Sequence, residues 1–125
     1  MIIDTNALSA WAEGTRAVEP VLFSAGRLVV PTVVLGEYCF GIWQSRHRGR
    51  YEEWLGQNLP LVEVASISAV TAHCYAEIRL QLKRKGTPIA SNDAWISALA
   101  RQLRLPILSN DTHFDFVDGI ERVAF

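Results

Sequence analysis

The sequence predicts an α/β sandwich built on a parallel sheet. Short apolar runs alternate with longer stretches of helical periodicity along the chain, and half of the 125 residues are hydrophobic while a fifth are charged. No internal repeat, low-complexity tract or linker interrupts this alternation. Strands separated by helices require right-handed crossovers and a sheet covered on both faces. The length suits one domain, residues 1–125.

Met1 to Asp4 reads as the first strand, followed by helices over Ala7 to Ala12 and Val18 to Ala25. Arg27 to Val30 is the second strand, stopped by Pro31, which has no N–H to give a ladder. The helix Thr32 to Ser45 is apolar nearly all round and is therefore expected to be buried. Tyr51 to Gln57 is a further helix and Leu61 to Val64 a third strand. Ile67 to Lys85 carries a stripe at Ile67, Val70, Cys74, Ile78 and Leu82, with Gly86 as its stop and Pro88 just beyond. Asn92 to Leu103 is the last helix, and Ile107 to Ser109 and Arg122 to Phe125 complete four to five strands.

Lys and Arg number 12 against 13 Asp and Glu, so a polyanionic partner has to be met by a local patch or by metal. Cys39 and Cys74 form neither a disulfide framework nor a metal-ligand spacing, as expected of a protein kept in a reducing cytoplasm. The opening residues lack the basic and apolar regions of a signal peptide. The longest apolar run, Leu28 to Leu35, falls far short of the ~20 residues that span a membrane.

Most acids have ordinary explanations; Glu13 can pair with Arg16, and Glu52 with Arg48, along a helix. Asp4, Glu37, Asp93 and Asp111 do not. Asp4 and Asp111 follow strands, Asp93 opens a helix, and Glu37 lies about a turn into another with no cation three or four residues away. The ends of parallel strands and the helices after them collect at one sheet edge, where open α/β sheets bind ligands. Singly, Asp4 reads equally as a helix cap, Asp93 as a first-turn acid and Asp111 as a turn residue. Glu37 resists such a reading, because an unpaired buried acid costs several kcal/mol. Four clustered carboxylates need a raised pKa or a divalent cation, and an all-oxygen set suits Mg²⁺ or Mn²⁺. Such a site supports phosphodiester hydrolysis by a metal-activated water.

Four motifs in order resemble those of the PIN-domain ribonucleases, and specifically the VapC toxins of VapBC toxin–antitoxin pairs. They are Ile2-Ile3-Asp4-Thr5-Asn6, Pro31-Thr32-Val33-Val34-Leu35-Gly36-Glu37, Ser91-Asn92-Asp93 before Trp95-Ile96-Ser97-Ala98-Leu99-Ala100, and Leu108-Ser109-Asn110-Asp111-Thr112-His113-Phe114. The resemblance implies a three-layer α/β/α sandwich with a mostly parallel sheet. It implies that Asp4, Asp93 and Asp111 hold the metal, that Glu37 completes the catalytic acids, and that Thr5, Asn6, Asn92 and Ser109 brace them. Position 109 is Ser where Thr is commoner, and Asp115 stands where some members carry an acid, which leaves Asp111 or Asp115 as the last ligand. The reaction implied is metal-dependent cleavage of single-stranded or loop RNA (tRNA, rRNA or mRNA); the partners implied are a VapB-type antitoxin and a second copy of the chain. The antitoxin's arm can place a basic side chain in the acidic pocket.

Arg46, Arg48 and Arg50, near Trp43, Tyr51 and Trp54, are candidate RNA contacts or a polar hinge between helices. Arg79 with Lys83, Arg84 and Lys85 reads as cations placed at a helix C-terminus, and His113 as a turn residue. Trp11, Tyr38, Phe40, Trp43 and Trp54 are either core or an interface. Two other readings compete. A haloacid-dehalogenase-like phosphatase also has an Asp ending a strand, but it wants a second Asp at the position of Asn6 and a Lys outside a helix tail. A PIN-fold module that binds RNA or a partner without cutting would be free to lose one of the acids.

Overall fold

The computed structural model describes residues 1–125. In chain order the elements are β1 (Ile2–Ile3), α1 (Thr5–Ala12), α2 (Glu19–Ser24), β2 (Val29–Pro31), α3 (Thr32–Trp43), α4 (Arg48–Asn58), β3 (Glu63–Ala65), α5 (Ala69–Lys85), α6 (Ser91–Leu103), β4 (Ile107–Leu108) and β5 (Arg122–Val123). Two 3₁₀ turns, Leu59–Leu61 and Thr112–Phe116, complete it.

The sheet order is β3-β2-β1-β4-β5 and every pairing is parallel. The chain moves outward from β1 through β2 to β3, then returns past β1 to β4 and β5. Right-handed crossovers therefore set α1 to α4 on one face and α5 with α6 on the other. The direction reverses between β1 and β4, so the crevice at their carboxyl ends is the topological switch point. Ile2 pairs with both Val29 and Ile107 at the sheet centre. Ile2, Ile3, Val29, Val30, Ile107 and Leu108 are fully buried, as strands covered on both faces must be. The main core adds Leu8, Trp11, Leu22, Val34, Tyr38, Ile42, Ile96 and Phe114, and a smaller cluster joins Ile78 and Leu82 of α5 to Ala98 and Val117. No helix is long and apolar enough to cross a membrane.

Several sequence expectations are corrected. Pro31 ends β2 opposite Ala65 instead of stopping short of it, and α3 begins at the next residue. Helix α3 is not buried all round: Val34, Tyr38 and Ile42 face the core, whereas Phe40 and Trp43 are 69% and 55% exposed. Helix α4 starts three residues early, at Arg48, because Arg48 and Glu52 pair at 2.8 Å across its first turn. Glu13 has no ion-pair partner, so its expected bond to Arg16 does not form.

The stripe on α5 holds only in its second half. Ile78 and Leu82 are buried, but Ile67 and Val70 stand 40% and 59% exposed. Thr71 takes the buried place instead, because its hydroxyl closes a capping box with Ser68 and donates to Gln102 of α6. Gly86, at φ 71°, ends the helix as expected, in a left-handed conformation that only glycine adopts without strain.

Candidate metal centre

Asp4 follows β1 directly, at the position that precedes α1, yet its side chain makes no capping hydrogen bond. Its Oδ2 accepts instead from Ser109 Oγ at 2.7 Å and Asn6 Nδ2 at 2.8 Å. Asn6 Nδ2 also donates to Ser109 Oγ, and Asn6 Oδ1 accepts the backbone N–H of Asn110. These bonds stitch the ends of β1 and β4 together. The arrangement leaves one Asp4 oxygen outside the network in a residue only 5% exposed. Burial, with Glu37 and Asp111 nearby, raises the Asp4 pKa against the opposing pull of the Ser109 hydroxyl.

Asp93 lies in the first turn of α6, whose preceding residue, Ala90, provides no side-chain cap. Ser91 and Asn92 therefore do not cap this helix. The pKa of Asp93 is pushed up to about 6, first by burial and then by the charges of Asp4, Asp111 and Glu37. Asp111 follows β4 and accepts the backbone N–H of His113, so the turn role read from sequence is real but uses only one of its oxygens. The ligand atoms of Asp93, Asp111 and His113 lie within 4.8 Å of one another.

Glu37 borders this group without offering a free oxygen. Thr5 Oγ1 donates to its Oε2 at 2.9 Å and Asn92 Nδ2 to its Oε1 at 2.7 Å, which ties α1, α3 and α6 together over the sheet edge. That answers why an acid without a local cation survives in α3: neutral donors from two other helices satisfy it. Beside it, a cleft of about 290 Å³ runs between α1, α3 and α4, lined by Thr5, Ser9, Glu13, Tyr38, Ser45 and Tyr51 among others.

A family model described as "PIN domain" matches residues 1–120. The chain belongs to the PIN domain family. Ribonuclease VapC5 of Mycobacterium tuberculosis is 24% identical over 124 residues, covering 98% of this chain and 90% of the relative. Among solved structures, VapBC2 from Rickettsia felis bound to a DNA fragment from its promoter superposes with a TM-score of 0.87 at 20% identity, covering 98% of this chain and 96% of that one. FitAcB from Neisseria gonorrhoeae gives 0.85 at 25% identity over 97% and 94%. This PIN domain therefore has the three-layer architecture expected from its motifs, with a sheet that is parallel throughout rather than mostly so.

All four acids named from sequence meet at the switch point of this PIN domain, and Thr5, Asn6, Asn92 and Ser109 all hydrogen-bond within or beside the cluster. Asp115 does not join it. Arg122 of β5 grips that carboxylate with two bonds of 2.8 and 2.9 Å and donates to the Ser109 carbonyl, holding Asp115 below the usual carboxylate range. The Arg46, Arg48 and Arg50 side chains are exposed; Arg48 covers the Trp43 ring at 4.8 Å and Arg50 the Tyr51 ring at 5.3 Å. His113 is the residue that sequence reasoning set aside and the structure brings in. The available signal was its place two residues after Asp111, but which way its ring turns depends on the 3₁₀ turn.

The donors fit a hard divalent ion. Three carboxylates converge, burial and mutual repulsion penalise the charges of Asp4 and Asp93, and only neutral donors of the bracing network are in direct contact apart from exposed His113.

Proposed function

We propose that this PIN domain is a metal-dependent endoribonuclease of the VapC kind, hydrolysing phosphodiester bonds in single-stranded or loop RNA (tRNA, rRNA or mRNA) and restrained in the cytoplasm by a VapB-type antitoxin. The observation that carries the reading is the convergence of Asp4, Asp93 and Asp111 at the switch point, where Asp93 resists ionisation up to about pH 6 unless a cation is supplied.

Asp4, Asp93 and Asp111 would hold Mg²⁺ or Mn²⁺. Bound there, the ion supplies a water of lowered pKa and positive charge opposite the phosphate oxygens. Ser109 and Asn6 hold the Asp4 oxygen in place, so the direction of the remaining lone pairs is set before substrate arrives. Glu37, with both oxygens engaged by Thr5 and Asn92, fixes the relative position of α1 and α6 and keeps negative charge beside the site. The exposed Arg46, Arg48 and Arg50 supply positive charge for an RNA backbone, and Tyr51 supplies a ring face for its bases. The cleft beside Glu37, with the unpaired Glu13 in its wall, suits the basic arm of an antitoxin. The exposed Phe40 and Trp43 of α3 suit a second copy of the chain.

Thermal unfolding of the wild type and Asp4→Asn, with and without millimolar Mn²⁺, tests the site before any RNA is chosen. Metal at ~100 times its dissociation constant adds roughly 2.7 kcal/mol. The stabilisation is expected in the wild type and absent from the variant; no shift in either sinks the metal-site reading. RNA cleavage that needs metal and is abolished by Asp93→Asn then separates a nuclease from a silent binding module, which would retain RNA affinity without turnover.

A further inference from the structure

The metal reading names three carboxylates, yet the group of donors that the fold packs most closely is Asp93, Asp111 and the imidazole of His113, all within 4.8 Å of one another. Two ligands on opposite sides of one small divalent ion sit no more than about 4.4 Å apart, so this spacing is nearly that of a shared ion. The placement of His113 is not incidental. The 3₁₀ turn Thr112–Phe116 starts at the residue after Asp111, and the backbone N–H of His113 donates to Asp111 Oδ1 at 2.9 Å. The same oxygen lies 3.1 Å from His113 Nδ1. The ring also packs against Phe116 with centroids 5.9 Å apart, which limits its rotation. Asp111 and His113 therefore present an oxygen and a nitrogen from one rigid turn, while Asp93 approaches from α6.

We propose that His113 supplies a nitrogen ligand to the metal held by Asp93 and Asp111, and that this nitrogen makes the chain select Mn²⁺ over Mg²⁺. The inference rests on the metal-site reading above. Its chemical basis is ligand softness: Mg²⁺ demands oxygen donors and gives up its waters reluctantly, whereas Mn²⁺ accepts an imidazole readily. A set of carboxylates alone would discriminate between the two ions less strongly. The high exposure of the ring, 59%, leaves its removal without consequence for the core, so loss of folding does not confuse the outcome.

The test measures calorimetric affinities of the full chain for MnCl₂ and MgCl₂, in wild type, His113→Ala, His113→Asn and Asp93→Asn, together with pulsed electron paramagnetic resonance of the Mn²⁺ complex. The wild type is expected to favour Mn²⁺, and His113→Ala to lose about 10-fold in Mn²⁺ affinity while Mg²⁺ affinity moves less than about 2-fold. The modulation from a coordinated ¹⁴N is expected in the wild type and absent from both His113 variants. Mn²⁺ binding that needs Asp93 but shows no ¹⁴N coupling, with a metal preference indifferent to His113, overturns this inference and leaves the carboxylate site standing. Absence of binding by either ion to the wild type overturns both.

Discussion

Asp93 titrates near pH 6 because burial and the charges of Asp4, Asp111 and Glu37 all disfavour its anion. An acid whose pKa is higher in the folded state binds protons on folding, so its contribution to stability is lost as pH rises from its ordinary value of 3.8 to about 6. In metal-free buffer, Asp93→Asn is therefore expected to raise the melting temperature at pH 7.5, and the gain should shrink as pH falls below about 6 and vanish only below 3.8. With the side chain partly solvated, the gain is limited to about 1 kcal/mol, or about 4 °C. A loss above ~2 kcal/mol at neutral pH would mean that the carboxylate holds a structural hydrogen-bond network instead. Tyr38 makes a second case. Its hydroxyl is buried without a partner and its pKa is pushed up to about 12, mainly by burial. Tyr38→Phe should leave stability unchanged or up to about 1 kcal/mol higher in urea titrations; a clear loss would reveal a bond from a buried water. At this scale, the sequence alone showed which acids lack local partners. It could not show that Glu37 is satisfied by Thr5 and Asn92, which lie 32 and 55 positions away, or that Arg122 takes Asp115 out of the cluster.

Helices α5 and α6 pack as an antiparallel pair whose upper contact is polar: Ser68, Thr71 and Gln102 share hydrogen bonds around a Thr71 side chain that is fully buried. Thr71→Val keeps the shape but removes the acceptor for the Ser68 N–H and the donor to Gln102. The expected cost is about 1–2 kcal/mol of unfolding free energy, seen as a lower denaturant midpoint with an unchanged slope. Thr71→Ser, which keeps the hydroxyl, should recover most of it. Element existence was legible because the apolar runs are short and separated by helical spacing. Registration within an element was not. The α5 stripe counted Val70 as inward because hydrophobicity alone defines a stripe, whereas the helix is rotated to bury a hydroxyl that has two partners. Likewise the segment Arg46 to Arg50 reads equally as a hinge, although the i,i+4 pairing of Arg48 with Glu52, itself legible in the sequence, is what starts α4 at Arg48.

Across the whole molecule, the exposed apolar side chains are spread over several elements: Phe40 and Trp43 form a pair on α3, Val70 and Leu80 lie on α5, and Phe23 and Leu61 stand elsewhere. If the α3 surface is where two copies meet, sedimentation should find a dimer in the wild type and a monomer in Phe40→Ser with Trp43→Ser, at unchanged helix content; a wild-type monomer would remove the dimer from the proposal. The order of strands was the least legible feature. Local patterns place strands along the chain, but the choice of β1 as the central strand depends on which fully apolar run is covered on both sides.

That strand order has a consequence for how the protein is made. Strand β1 leaves the ribosome needing neighbours on both sides, and its second neighbour, Ile107–Leu108, is encoded more than a hundred residues later. Such distant pairing closes late and slowly. A chain still in synthesis at Leu103 has Asp4, Glu37 and Asp93 but neither Asp111 nor the Ser109 hydroxyl that holds Asp4. The three-carboxylate set is incomplete until Asp111 has been made, so a molecule on the ribosome short of that point carries only part of the proposed nuclease site.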